Sequence, residues 1–349
     1  MARLFLHIGA HKTGTSHLQH LFHLNRKRLA QAGVIYPDIG PNDAHHALAA
    51  LWMDVPGVPE QFYARHSPEA LWDNLVRAHA TGPGTVFLSA ENFSRGFPDV
   101  VDIPDLAQRL SAFDEVRVIY TMRQQAPLVQ SLWLQVAKTT KVLGLHAYIR
   151  RALETGLSGG VRIDHDGIYE WLLQGFSPDQ IILQDYAQMR RAPGGVGQVF
   201  LDLMGCDLRA DDLVQPPQDK SNISPDPLAF LTATQIVENA VPPADLVALV
   251  DTVLHANLPD QPRSILLWSE YTRFYKQYAP RNAMLVERVQ PWQPGFTFED
   301  PAPSPDMLYR ADLGEEVWSR IAAALYARQK PKPDSTWRRL SRSGSRSGG

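Results

Sequence analysis

Cysteine is nearly absent from this chain. Cys206 is the one thiol in 349 residues, which excludes an intramolecular disulfide framework and any cysteine-rich zinc site. Long apolar runs are missing too. The stretch over residues 4–8 is far shorter than a signal h-region or a membrane span, and its residues are needed as a strand, so the chain reads as cytoplasmic. Neither sign of charge dominates: 34 Lys and Arg against 37 Asp and Glu leave a formal charge of −3. That balance supplies no general attraction to nucleic acid or to an anionic membrane. No internal repeat is found.

What is present suits a large core. At 44% hydrophobic and 20% charged residues, the chain can bury one big α/β domain with a helical lobe attached. Short β-branched and apolar runs alternate with longer helical stretches, the signature of a parallel sheet. Strands are expected near 3–8, 85–89, 116–122 and 180–185, with a short addition at 34–36. Helices are expected at 15–31, 67–80, 125–141, 145–154, 166–174 and 195–204. From 226 to 289 the pattern is mostly helical and broken by prolines. A Pro-rich arm follows over 290–305, then a last helix at 313–328. The expectation is one domain over 1–330, its helical lobe spanning about 226–330, and a Lys/Arg/Ser/Gly tail over 331–349 without fixed structure.

The chemistry concentrates in one turn. Strand 3–8 leads into Gly9-Ala10-His11-Lys12-Thr13-Gly14-Thr15-Ser16, and an amphipathic helix begins there. A strand–turn–helix of this kind aims unpaired backbone N–H groups and a positive helix end at one point, which makes an anion site. Lys12 adds a full charge, and the hydroxyls of Thr13, Thr15 and Ser16 add donors. The Walker A form places lysine directly after the second glycine; here Lys12 stands two residues before Gly14, so that pattern fails. A second segment has the same character. The strand over 116–122 ends at Arg123, and Ser131 follows eight positions later. A guanidinium fork and a hydroxyl meeting at one phosphate is sound chemistry.

The form K-T-G-T-S after a strand resembles the 5′-phosphosulfate loop of sulfotransferases that use 3′-phosphoadenosine 5′-phosphosulfate (PAPS). The spacing of Arg123 and Ser131 is similar to the family's grip on the nucleotide 3′-phosphate, although Pro127 is displaced from the usual pattern. Three further segments resemble the same family. They are the strand ending in Ser89-Ala90-Glu91, the Lys220-Ser221-Asn222-Ile223-Ser224 loop, and the helix carrying Tyr278, Asn282 and Leu285. The resemblance covers roughly residues 3–300. It implies a P-loop-like three-layer α/β core, its central, mostly parallel sheet flanked by helices, and a helical C-terminal part. It also implies PAPS as co-substrate without a metal, and His11, Lys12, Thr13, Gly14, Thr15, Ser16, Arg123, Ser131, Lys220 and Asn222 around the nucleotide.

Sulfuryl transfer asks for little else. Negative charge develops on the bridging oxygen as the phosphate leaves, and a lysine with backbone N–H groups aimed there favours the transition state. The acceptor, a hydroxyl or amine on a carbohydrate, lipid or small molecule, needs a base. Glu91 stands just past a strand, near the edge where open α/β sheets place their sites. His45 and His46, opening an apolar helix over 47–53, are rival bases or acceptor contacts. His17, His20 and His23 recur every third residue, but steps of about 300° spread them over too broad an arc for one metal. Trp52, Phe62, Tyr63 and Trp72 read either as an acceptor pocket or as core. Two other functions fit the turn. A P-loop kinase acting on a small molecule would need ATP, Mg²⁺ and an acidic metal ligand, and no apolar strand ends in an obvious Walker B aspartate. A nucleotide-binding regulatory module would have kept the turn and lost the chemistry.

Overall fold

The structure is a computed structural model that describes residues 1–142, 144–217 and 225–329. Five strands form one parallel sheet: β1 (Ala2–His7), β2 (Val34–Ile35), β3 (Gly84–Ser89), β4 (Glu115–Met122) and β5 (Ile181–Asp185), in the order β2-β3-β1-β4-β5. β1 lies at the centre, with Leu4 opposite Val86 on one side and Val116 on the other. Period-two alternation sorts its side chains into two layers. Leu4 and Leu6 join Trp72, Leu106, Tyr120 and Ile168 on one face. Phe5 joins Leu18, Phe22, Phe87, Ile119 and Phe200 on the other. With helices on both faces, this is the P-loop-like three-layer α/β core that was expected.

Five helices matter for the site: α1 (Thr15–Leu24), α2 (Gln125–Ala137), α3 (His165–Leu172), α4 (Tyr186–Arg191) and α5 (Trp268–Val289). A separate apolar cluster joins α2, through Leu128 and Trp133, to Leu228, Leu254, Phe274 and Tyr278 of the C-terminal helices.

Several element boundaries differ from expectation. The helix foreseen over 15–31 breaks at Asn25, whose amide bonds the Leu21 carbonyl and both backbone groups of Val214. The helix foreseen over 125–141 stops at Ala137. The stretch after His45 is a 3-10 turn, His46–Leu51, rather than an α-helix. Pro280, expected to interrupt, sits inside the continuous α5. One lost N–H there is outweighed by the buried row Tyr271, Phe274, Tyr278, Asn282, Leu285 and Val289. A two-strand ribbon, Leu157–Ser158 with Val161–Arg162, had no sequence signal beyond Gly159-Gly160. The arm over 290–305 seals an edge: Gln293 accepts from the N–H of Leu183 at 2.9 Å and donates to its carbonyl at 2.7 Å, occupying the outer side of β5. No helix among the described residues is long and apolar enough to cross a membrane.

Candidate active site

The turn after β1 is tied to β4, since Ile8 and Ala10 donate to the carbonyls of Ile119 and Thr121 at 3.0 Å each. Gly14 takes the left-handed conformation, φ 80°, at the start of α1, and no side chain caps that helix. The first N–H groups of α1 are therefore open to an outside anion. Lys12 also has positive φ, 62°, and it forms no ion pair among the described residues. Its ammonium pKa is held down by burial, then by the charges of Lys138 and Arg123, with Glu91 opposing. Lys138, at the end of α2, was not foreseen. Thr13 does not face outward as a donor: its hydroxyl donates to the Ala10 carbonyl at 2.6 Å and stiffens the turn. Thr15 is buried and Ser16 exposed.

Arg123 reaches the same turn from the end of β4. Its guanidinium donates to the Lys12 carbonyl at 2.6 Å and lies 5.3 Å from the centroid of the Tyr186 ring, a cation–π distance. Burial is the main influence lowering its pKa. His165 sets the backbone there, with one ring nitrogen 2.9 Å from the Arg123 carbonyl and the other 2.8 Å from the Tyr120 hydroxyl. Ser131 is half-buried on α2. Lys220 and Asn222 lie outside the described residues.

Glu91 sits beside the turn at the start of a 3-10 helix, Glu91–Ser94. A Cβ on Gly9 would stand 2.9 Å from that of Glu91, and φ at Gly9 is +96°, so glycine is what lets the two segments touch. Gln19 donates to Glu91 Oε2 at 2.9 Å. His46 Nε2 stands 3.7 Å away and His11 Nδ1 3.9 Å. Burial opposes the charge on this carboxyl, but His46, His11 and the Gln19 hydrogen bond together hold its pKa below the usual range. The far nitrogens, His11 Nε2 and His46 Nδ1, are buried without a partner among the described residues, an arrangement that costs free energy unless a ligand or water completes it.

Behind Glu91 a polar chain runs into the sheet. Gln19 also reaches the Ser89 hydroxyl at 3.2 Å, and His7 joins that hydroxyl at 3.0 Å. Gln19 carries no motif, and only its place on the buried side of α1 would have marked it. His45 does not join Glu91 as a free base. The Ser89 N–H donates to its Nδ1 at 3.0 Å, and its Nε2 lies 2.9 Å from the Pro37 carbonyl. Both nitrogens are thereby occupied by backbone, which corrects the expectation that it rivals Glu91. His20 and His23 pair with Asp43. Trp72 is core, donating to the Leu48 carbonyl at 3.0 Å, and Trp52 donates to Asp105 at 2.9 Å.

The buried histidines carry a pH dependence. Burial pushes the pKa of His7, His45 and His165 down to about 4 each from an ordinary 6.5. The unfolded chain binds these protons below about pH 6.5 and the folded chain only near pH 4, so stability rises with pH across that window. It is fully present above the window and is lost as pH falls through it. Urea melts at pH 7, 5.5 and 4.5 should show a midpoint falling at each step; a constant midpoint would contradict the assignment.

No protein-family model matches this chain, and no curated protein matches it. Among solved structures it is similar to a sulfotransferase from Alicyclobacillus acidocaldarius, at 18% identity and a TM-score of 0.38, over 73% of this chain and 96% of that one. It is similar to mouse sulfotransferase SULT7A1 complexed with PAP, at 11% identity and a TM-score of 0.35, over 59% and 60% of the two chains. The sulfotransferase domain from the curacin biosynthetic pathway is 11% identical, with a TM-score of 0.34 over 86% and 98%. These likenesses are remote, and the fold rests on the strand order and register above.

Proposed function

We propose that the chain transfers the sulfuryl group of PAPS to a hydroxyl or amine. The observation that carries this reading is the convergence on one turn of an uncapped α1, a Lys12 with no ion pair among the described residues and the half-buried Arg123, with the Cα and Cβ of Glu91 packed against Gly9 of that turn. The open N–H groups of residues 14–16 and Lys12 suit the 5′-phosphosulfate. Arg123 and Ser131 suit the 3′-phosphate, and Lys220 and Asn222 complete the nucleotide set by resemblance. The donor brings an activated S–O bond to phosphate. Lys12 stabilises the charge left on the bridging oxygen when that bond breaks. Glu91 takes the proton from the acceptor as its oxygen or nitrogen bonds to sulfur. The products are the sulfated acceptor and adenosine 3′,5′-bisphosphate (PAP). His46 and His11 face Glu91 and suit an acceptor contact. A metal has no part in the reading.

Calorimetry of PAP against ATP with Mg²⁺ tests it: PAP should bind without metal, and selective binding of ATP–Mg²⁺ would point to the kinase. Arg123→Ala should weaken PAP by roughly 1.5–3 kcal/mol, the worth of a charge-assisted pair. Adenosine 5′-phosphosulfate, which lacks the 3′-phosphate, should bind about equally to variant and parent. Equal weakening of both ligands would reduce Arg123 to a support of the Lys12 carbonyl.

A further inference from the structure

We propose that the acceptor carries an oxyanion of its own, a carboxylate or an existing sulfate ester beside the group that reacts, and that Arg95 holds it. The inference rests on the transferase reading above and names the substrate class of that site.

Arg95 closes the 3-10 turn that Glu91 opens. Its N–H donates to the Asn92 carbonyl at 3.2 Å, and the Ser94 hydroxyl donates back to the Glu91 carbonyl at 3.0 Å. Arg95 also makes an antiparallel bridge to Val161 of the ribbon, and the Gly96 N–H donates to the Gly160 carbonyl at 2.9 Å. The guanidinium lies over the ribbon's turn. A Cβ on Gly160, where φ is +81°, would stand 2.8 Å from one of its terminal nitrogens and 2.7 Å from the Phe97 carbonyl. The turn therefore requires glycine, and the guanidinium has a defined place on it. A Cβ on the adjoining Gly159 would meet Val136 at 3.7 Å, so the same turn rests on the end of α2 that bears Lys138.

A half-buried guanidinium ordinarily takes a carboxylate or carbonyl partner. Arg95 is half-buried, yet no ion pair or side-chain hydrogen bond engages it among the described residues, and Lys138 likewise forms no ion pair there. Glu91, the carboxylate on its own turn, is already engaged by Gln19, His46 and His11. Arg95 ends the turn on which Glu91 stands, and its charge is felt at His11 beside that carboxylate. Lys12 and Arg123 serve the donor's phosphates in the reading above, which leaves Arg95 unassigned. A neutral acceptor would pass it partly desolvated and unpaired; an oxyanion gives it up to two charge-assisted hydrogen bonds. That anion takes no part in bond making. The acceptor's oxygen or nitrogen bonds to sulfur, the S–O bond to phosphate breaks, and the proton goes to Glu91.

The test uses the full chain, sulfur-labelled PAPS and matched acceptors: 4-hydroxybenzoate against 4-hydroxybenzamide, glucuronate against glucose, and glucosamine 6-sulfate against glucosamine. In at least one pair the charged member should have a kcat/KM on the order of tenfold higher, as one charge-assisted contact provides. Arg95→Gln should collapse that ratio towards one, mainly through KM, and Arg95→Lys should keep part of it. The first two pairs report a carboxylate and the third a sulfate ester. Equal use or neutral preference in every pair, no turnover of any charged member, or an equal loss on both members in Arg95→Gln overturns the proposal. PAP affinity should be unchanged in both variants. Absence of PAP binding by the parent would instead sink the transferase reading.

Discussion

Lys12→Ala should lower turnover by on the order of 10²-fold or more, because the leaving oxygen loses its one full positive charge while the backbone donors remain. That factor corresponds to about 2.7 kcal/mol of transition-state stabilisation. The substitution isolates charge well: φ at position 12 is +62°, and alanine adopts that conformation no more easily than lysine. PAP affinity should fall as well, since the open end of α1 would act alone. Arg123 should keep its bond to the carbonyl of residue 12, which the variant retains. The parent enzyme should remain active in EDTA. Near-parental turnover in Lys12→Ala would remove lysine from the chemistry, and a strict Mg²⁺ requirement in the parent would favour phosphoryl transfer.

Glu91→Gln should lower the rate by roughly 10²–10⁴-fold with little change in PAP affinity, the span expected when a general base is lost and shape is kept. Glutamine preserves an oxygen to accept from Gln19, which stands 2.9 Å from Oε2. The pH dependence gives the sharper test. A carboxyl held below its usual range is ionised at neutral pH, so parental activity falls only in acid, as pH drops through that pKa. The variant should lack this acidic limb. The rate loss should be read above about pH 6.5, where the buried histidines leave stability undisturbed, and the acidic limb at lower pH on protein that circular dichroism shows to remain folded. His46→Ala provides the contrast, because His46 faces Glu91 at 3.7 Å and has a nitrogen free. Loss of turnover there with retention in Glu91→Gln would make His46 the base and Glu91 its partner. His45→Ala should chiefly destabilise the fold, since both nitrogens of that ring hold backbone.

Much of this protein is legible in the order of its residues. The short apolar run over 4–8, closed by the Gly- and Thr-rich residues from 9 onward, reads as a buried strand that turns directly into a helix. The parallel core is then required, because alternating strands and helices must be covered on both faces. The Lys-Thr-Gly-Thr-Ser turn announces an anion site because backbone conformation and charge there are local properties. Distance across the chain is not local, and the structure alone decides it. Arg123 meets the carbonyl of Lys12 from 111 positions away, and Gln19, which no motif marks, turns out to support Glu91. His45 and His46 are adjacent and chemically identical. The 3-10 turn after β2 seals one between two backbone groups and leaves the other against Glu91. A side chain's role depends on which neighbours satisfy its polar atoms, and only packing determines those neighbours.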